Sequence, residues 1–122
     1  MCPRPTVLVV EDDPIIREIM QTILEDEGFR AVSAECVSDA IATLAQEDAV
    51  DVLFADIDLG DHGGGYEVAR HARRRRPDMK VVYTSGGARD DFQHQRVENA
   101  RFVPKPYLPT DVCVLLKREL AT

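Results

Sequence analysis

The chain has no tryptophan, only 3 cysteines, no long apolar run and a shortage of positive charge. Each shortage removes a class of protein. Cys2, Cys36 and Cys113 are an odd number, with neither paired spacing nor an accompanying histidine cluster, so a disulfide framework and a zinc site are both disfavoured. The apolar runs are a few residues long, far below the roughly 20 that a membrane helix needs. The N-terminus also lacks the basic-then-apolar pattern of a signal peptide, so the expected location is cytoplasmic, without membrane association. With 15 basic against 22 acidic residues, the formal net charge of −7 opposes contact with phosphate backbones, and direct nucleic-acid binding is not expected. Repeats, linkers and low-complexity segments are missing too. The 122 residues suit one domain, long enough to bury a core without staples.

What is present is a set of four apolar runs of strand length, each breaking into residues with chemistry. Thr6-Val7-Leu8-Val9-Val10 runs into Glu11-Asp12-Asp13, and Val52-Leu53-Phe54-Ala55 into Asp56. Lys80-Val81-Val82-Tyr83-Thr84 runs into Ser85-Gly86-Gly87, and the short Arg101-Phe102-Val103 into Pro104-Lys105-Pro106. Continuous apolar runs of this length read as strands buried on both faces of a parallel sheet. Ligands of open α/β sheets bind outside the carboxyl ends of the strands, so these acids, the hydroxyl and the lysine share one reactive rim. Asp56 is its centre.

Helical patterns separate the strands. Asp13-Pro14 reads as an N-cap followed by proline at the first helical position, Ile15, Ile16, Ile19, Met20, Ile23 and Leu24 repeat at helical spacing, and Gly28 supplies the stop. A second strand is expected over 29–34, then a helix capped by Ser38 with Ala40, Ile41, Leu44 and Ala45 inward. A glycine-rich loop over 60–65, containing His62, precedes a third helix over 66–76 with Val68, Ala69 and Ala72 inward and Pro77 ending it. The loop lacks the Lys-Ser/Thr of a P-loop. Arg73 to Arg76 reads as a solvated helix end complementing the dipole rather than as a nucleic-acid patch. A fourth helix over 88–99 has only Phe92 and Val97 as large apolar residues and should be the loosest. The last helix opens at Pro109 with Val112, Leu115, Leu116 and Leu120 on one face. Five such units make a doubly wound α/β sheet with helices on both faces.

Taken together, the four strand-end motifs resemble the response-regulator receiver domain of two-component signalling, over nearly the whole chain. The matches are the acidic pair Glu11 and Asp12, the phosphoacceptor position Asp56, a hydroxyl at Ser85 with Thr84 as the other candidate, and Lys105-Pro106. The glycine-rich loop departs from the family: Gly60 stands where a proline is usual. The resemblance implies the flavodoxin-like strand order 2-1-3-4-5, a single receiver domain over residues 1–122 with no output domain, and a signalling switch rather than a turnover enzyme. In that order the first and third strands are neighbours, which brings Asp12 and Asp56 together.

Carboxylates crowded at such a rim repel one another, and a hard divalent cation relieves them. Magnesium is the expected ion, with Asp12 and Asp56 as direct ligands and Glu11 acting through water; the backbone carbonyl of Asp58 as third ligand follows from the resemblance alone. Asp56 is then the nucleophile toward a phosphoryl group delivered by a histidine kinase or histidine phosphotransfer protein, Lys105 pairs with a phosphoryl oxygen, and Ser85 or Thr84 donates to another. The resemblance also implies a cis bond before Pro106 and a switch role for Phe102, which would turn into space vacated beneath the fourth helix. An unknown downstream protein would read the face of helix four, strand five and helix five, with Arg89, Phe92, Arg96 and Arg101 as candidate contacts. Two other readings compete: a degenerate receiver used as a binding module, and a magnesium-dependent hydrolase with an aspartate nucleophile, for which Asp58 would be the second acid.

Overall fold

The computed structural model describes residues 4–46, 49–59, 64–87 and 92–121. Its elements are β1 (Thr6–Val10), α1 (Pro14–Asp26), β2 (Arg30–Ala34), α2 (Val37–Gln46), β3 (Val50–Asp56), α3 (Gly64–Arg75), β4 (Lys80–Ser85), α4 (Phe92–Gln95), β5 (Arg101–Pro104) and α5 (Pro109–Leu120). All strands pair in parallel in the order β2-β1-β3-β4-β5, as expected. Alternation along each strand divides the apolar residues between two cores. Leu8, Val10, Leu53, Ala55, Val81 and Tyr83 face α2 and α3, where Ala40, Leu44, Tyr66, Val68, Ala69 and Ala72 meet them. Val7, Val9, Val52, Phe54 and Val82 face α1 and α5 and pack on Met20, Leu24, Val112, Cys113 and Leu116. β1, β3 and β4 are covered on both faces, which is why they read as unbroken apolar runs, whereas the edge strands β2 and β5 are partly exposed, so the expectation of burial on both faces fails for β5.

Local signals explain several boundaries. Asp13 Oδ1 accepts from the backbone N–H groups of Ile15 at 2.9 Å and Ile16 at 3.3 Å, capping α1 with Pro14 in its first turn. Gly28 ends the helix at φ +95°, a left-handed conformation in which a Cβ is strained, and Phe29 N–H returns to the carbonyl of Leu24.

Other expectations need correction. α2 begins at Val37, one residue before Ser38, so Ser38 lies inside the first turn and its hydroxyl meets Cys36 Sγ instead of capping; Ala45 points outward. In α1 only Met20 and Leu24 are fully buried, and Ile15 (69% exposed) and Ile19 (45%) face outward, because the apolar stripe is wider than the sheet face it covers. α3 starts at Gly64 rather than at residue 66, so two glycines assigned to the loop are its first turn. A Cβ on Gly65 would stand 2.5 Å from the carbonyl oxygen of Asp56, and one on Gly64 would stand 2.7 Å from that of Leu59; the helix approaches β3 more closely than any larger residue allows. Residues 60–63 of that loop, His62 included, lie outside the described residues.

The fourth helix differs most. Residues 88–91 lie outside the described part, and α4 covers only Phe92–Gln95, with no fully buried residue. Its continuation is diverted by competing hydrogen bonds: Val97 N–H donates to the Tyr83 hydroxyl at 3.1 Å, and Arg70 and Arg73 of α3 donate to the carbonyls of Gln95 (3.1 Å) and Glu98 (2.7 Å). Arg73 also reaches the Met79 carbonyl at 2.7 Å, while Arg76 donates to the Val50 carbonyl at 2.6 Å and pairs with Asp51. The basic run is therefore only partly a solvated helix end. Two of its members clamp neighbouring backbone.

Candidate functional site

The carboxyl ends of β1, β3, β4 and β5 converge as the sheet order requires. β1 ends before Glu11 and Asp12, β3 ends on Asp56, β4 ends on Ser85, and the turn after β5 carries Lys105 ahead of a cis peptide bond to Pro106. Asp56 is 3% exposed. Its Oδ2 accepts from Lys105 Nζ at 2.8 Å and its Oδ1 from the backbone N–H of Asp58 at 2.8 Å. Glu11, equally buried, pairs with the same ammonium through Oε1 at 3.0 Å. Its Oε2 accepts from Asp13 N–H at 3.2 Å, and its backbone carbonyl accepts from Arg17 at 2.9 Å. Asp12 is exposed at the mouth.

Charge at this rim is concentrated and poorly hydrated. Burial pushes the Glu11 carboxyl above its ordinary range, with Lys105 and the Asp13 N–H opposing and the neighbouring acids adding. For Lys105, burial alone would favour the neutral amine, yet hydrogen bonds and charge from Asp56 and Glu11 more than offset it and hold the ammonium well above its ordinary value. Burial also pushes the Tyr107 phenol up to about 12, with the charges of Glu11 and Asp56 adding to the effect. Ligand oxygens of Glu11, Asp12 and Asp56 lie within 4.8 Å of one another, the described cluster that could hold a metal ion. The donor set is all carboxylate, and such hard oxygens fit a hard divalent cation.

The two candidate hydroxyls separate clearly. Ser85 Oγ donates to Asp58 Oδ2 at 2.8 Å on the rim, whereas Thr84 Oγ1 is buried without a hydrogen-bond partner. The Asp58 side chain, which also accepts from Gly86 N–H at 3.4 Å, is the participant that sequence reasoning missed; only its carbonyl, or a hydrolase role, was considered. The available signal was its place two residues after Asp56 in the same turn. Phe102 stands 37% exposed with its ring 5.2 Å from Phe92, at the end of an aromatic chain through Tyr83 and Tyr66.

The family model described as "Response regulator receiver domain" matches residues 7–117. The chain belongs to the response regulator receiver domain family. Receiver domains are phosphoacceptor signalling modules of two-component systems, not classical enzymes. This receiver is 30% identical over 119 residues to the nitrogen assimilation regulatory protein NtrX of Azorhizobium caulinodans, covering 95% of this chain and 26% of the relative. It is 27% identical to the sensor kinase CckA of Brucella abortus, covering 94% of this chain and 12% of the kinase. The chain thus spans about a quarter or less of these curated relatives. Among solved structures, a response regulator receiver protein from Sinorhizobium medicae superposes with a TM-score of 0.90 at 27% identity, covering 98% of this chain and 96% of that one. A CheY-like receiver domain protein from Methanospirillum hungatei superposes at 0.84 with 27% identity, covering 97% and 94%. None of this receiver's described helices is long and apolar enough to cross a membrane.

Proposed function

We propose that Asp56 accepts a phosphoryl group from the phosphohistidine of a histidine kinase or histidine phosphotransfer protein, and that the receiver passes the signal on by protein contact. The observation that carries this reading is the set of four groups at one point: a buried nucleophilic carboxylate, an ammonium 2.8 Å from it, and two further acids within 4.8 Å. In the transfer, an Asp56 oxygen forms a bond to phosphorus, the P–N bond breaks, and its electron pair leaves with the imidazole. Lys105 already sits at the carboxylate and is placed to pair with a phosphoryl oxygen as charge develops there. Ser85 is the hydroxyl on the rim that can donate to a second oxygen.

Magnesium would be held by Asp12 and Asp56, by the Asp58 carbonyl and, through water, by Glu11. When bound, it supplies neutralisation of phosphoryl charge that Lys105 alone cannot match. The donor reaches Asp56 across an apolar groove of about 590 Å³ lined by Ile16, Ile19, Met20, Pro106, Tyr107 and Pro109 beside Lys105. Ile19 in its lining is exposed, as are Ile15 and Leu108, chain neighbours of lining residues, and these suit a partner that buries them on docking.

On phosphorylation, Ser85 moves toward the phosphoryl group, Phe102 turns inward and α4 shifts against β5 and α5, so that the downstream protein reads that face. Of the candidate contacts, Arg101 is paired with Glu119 at 3.1 Å and Arg96 with Gln93 at 3.1 Å in the resting form, and Arg89 lies outside the described residues. Incubation with acetyl phosphate and magnesium, followed by intact mass, tests the reading. A labile single adduct on Asp56 is expected. Turnover without an adduct would favour a hydrolase, and no reaction would favour a binding module.

A further inference from the structure

We propose that the Asp58 carboxylate is a latch on the Ser85 hydroxyl, a positioning group that holds the resting state by taking the proton a phosphoryl group on Asp56 would need. The inference rests on the phosphoacceptor reading and deepens it. Asp58 connects the two partners of the switch directly. Its backbone N–H donates to Asp56 Oδ1 at 2.8 Å, and its Oδ2 accepts from Ser85 Oγ at 2.8 Å and from Gly86 N–H at 3.4 Å. A serine hydroxyl has one proton to give. Here it faces a charged acceptor, and such bonds are roughly twice as strong as neutral ones. Ser85 is 1% exposed, so water competes little for that proton; the other acceptor in reach, the Gly87 carbonyl, is at 3.4 Å against 2.8 Å for Asp58, and Gly87 N–H donates to the hydroxyl oxygen at 3.2 Å.

A phosphoryl oxygen on Asp56 can therefore engage Ser85 only if the Asp58 bond opens. Asp58 is itself exposed, so its carboxylate is open to water when the Ser85 bond breaks. Gly86 N–H shares the same carboxylate oxygen, so it is released together with Ser85. The latch thus opposes the shift until a stronger acceptor appears.

The test uses beryllofluoride with magnesium as the phosphoryl mimic, with affinity read by fluorine NMR or calorimetry. Parent, Asp58→Ala and Asp58→Asn are compared, each with Ser85 intact and with Ser85→Ala. Losing a hydrogen bond to a charged group should tighten beryllofluoride binding of Asp58→Ala about tenfold. Asp58→Asn, nearly isosteric and still an acceptor, should fall between Asp58→Ala and the parent. In the Ser85→Ala background the gain should collapse to about twofold or less, the coupling expected of a direct contact. Equal gains for both Asp58 variants that persist without the hydroxyl would reduce the effect to removal of a charge and overturn the latch alone. So would unchanged or weaker binding by both Asp58 variants. A parent protein that binds no beryllofluoride overturns the phosphoacceptor reading and the latch with it.

Discussion

α1 and α4 flank the same sheet, yet they are held by different physics. α1 has 13 residues, an aspartate cap, and Met20 and Leu24 at 1% and 0% exposure in the core between β1, β3 and α5. α4 has 4 described residues, none fully buried; Phe92, Val97 and Ala100 pack only partly buried against the core, and polar tethers from Arg70, Arg73 and the Tyr83 hydroxyl add to them. Apolar burial is lost only by exposing surface to water, at about 25 cal/mol for each Å². A tether to a carbonyl exchanges readily with water and is worth only about 1 kcal/mol net. The receiver thus has a deeply anchored helix beside Asp56 and a weakly anchored segment at α4, the element that the proposed switch would move.

The largest expected effect ties that contrast to chemistry. Asp56→Asn should take up no phosphoryl group from acetyl phosphate, and the hydrogen-exchange change expected over 92–100 in the parent should vanish with it. A surviving change in that variant would separate α4 from Asp56. Next is the contrast in anchoring. Leu24→Ala should destabilise by roughly 3 kcal/mol, as buried leucine truncations do, whereas Phe92→Ala should cost roughly 1–2 kcal/mol, most of it from ring contacts. Urea melts that rank Phe92 above Leu24 would break the comparison.

Glu11→Gln sharpens the picture of the rim. A carboxyl whose folded pKa lies above its unfolded value binds protons on folding, so stability falls as pH rises through the window from 4.5 to the raised value. The variant should therefore be more stable than the parent at pH 7 without metal, and the gap should close as pH falls toward 4.5. Magnesium should reverse the order, raising the parent by roughly 2.7 kcal/mol at about 100 times its dissociation constant and the variant by less. Melting curves across pH, with and without magnesium, check both signs. The smallest effect is local: Tyr83→Phe removes the acceptor for Val97 N–H and should cost about 1 kcal/mol, with faster exchange near residue 97 and none in α1. Equal acceleration in α1 would mean that the two regions are one cooperative unit.

What the amino-acid order determined alone follows from short-range physics. The inner strands were legible because burial on both faces leaves unbroken apolar runs, α1 because Asp13, Pro14 and Gly28 bracket a helical repeat, and the rim because chemistry-bearing residues follow four strands in turn. The tertiary structure decided whatever depends on contacts between elements remote in sequence. Gly64 and Gly65 read as loop residues until α3 is seen against the Leu59 and Asp56 carbonyls. Arg73 and Arg76 read as a solvated end until their targets, the carbonyls of Met79, Glu98 and Val50, come within reach. α4 is cut short by a tyrosine hydroxyl 14 residues before Val97, and Ser85 is distinguished from Thr84 by a carboxylate 27 residues before it. Periodicity reports which face a residue occupies, but a hydrogen bond between distant residues leaves no period to read.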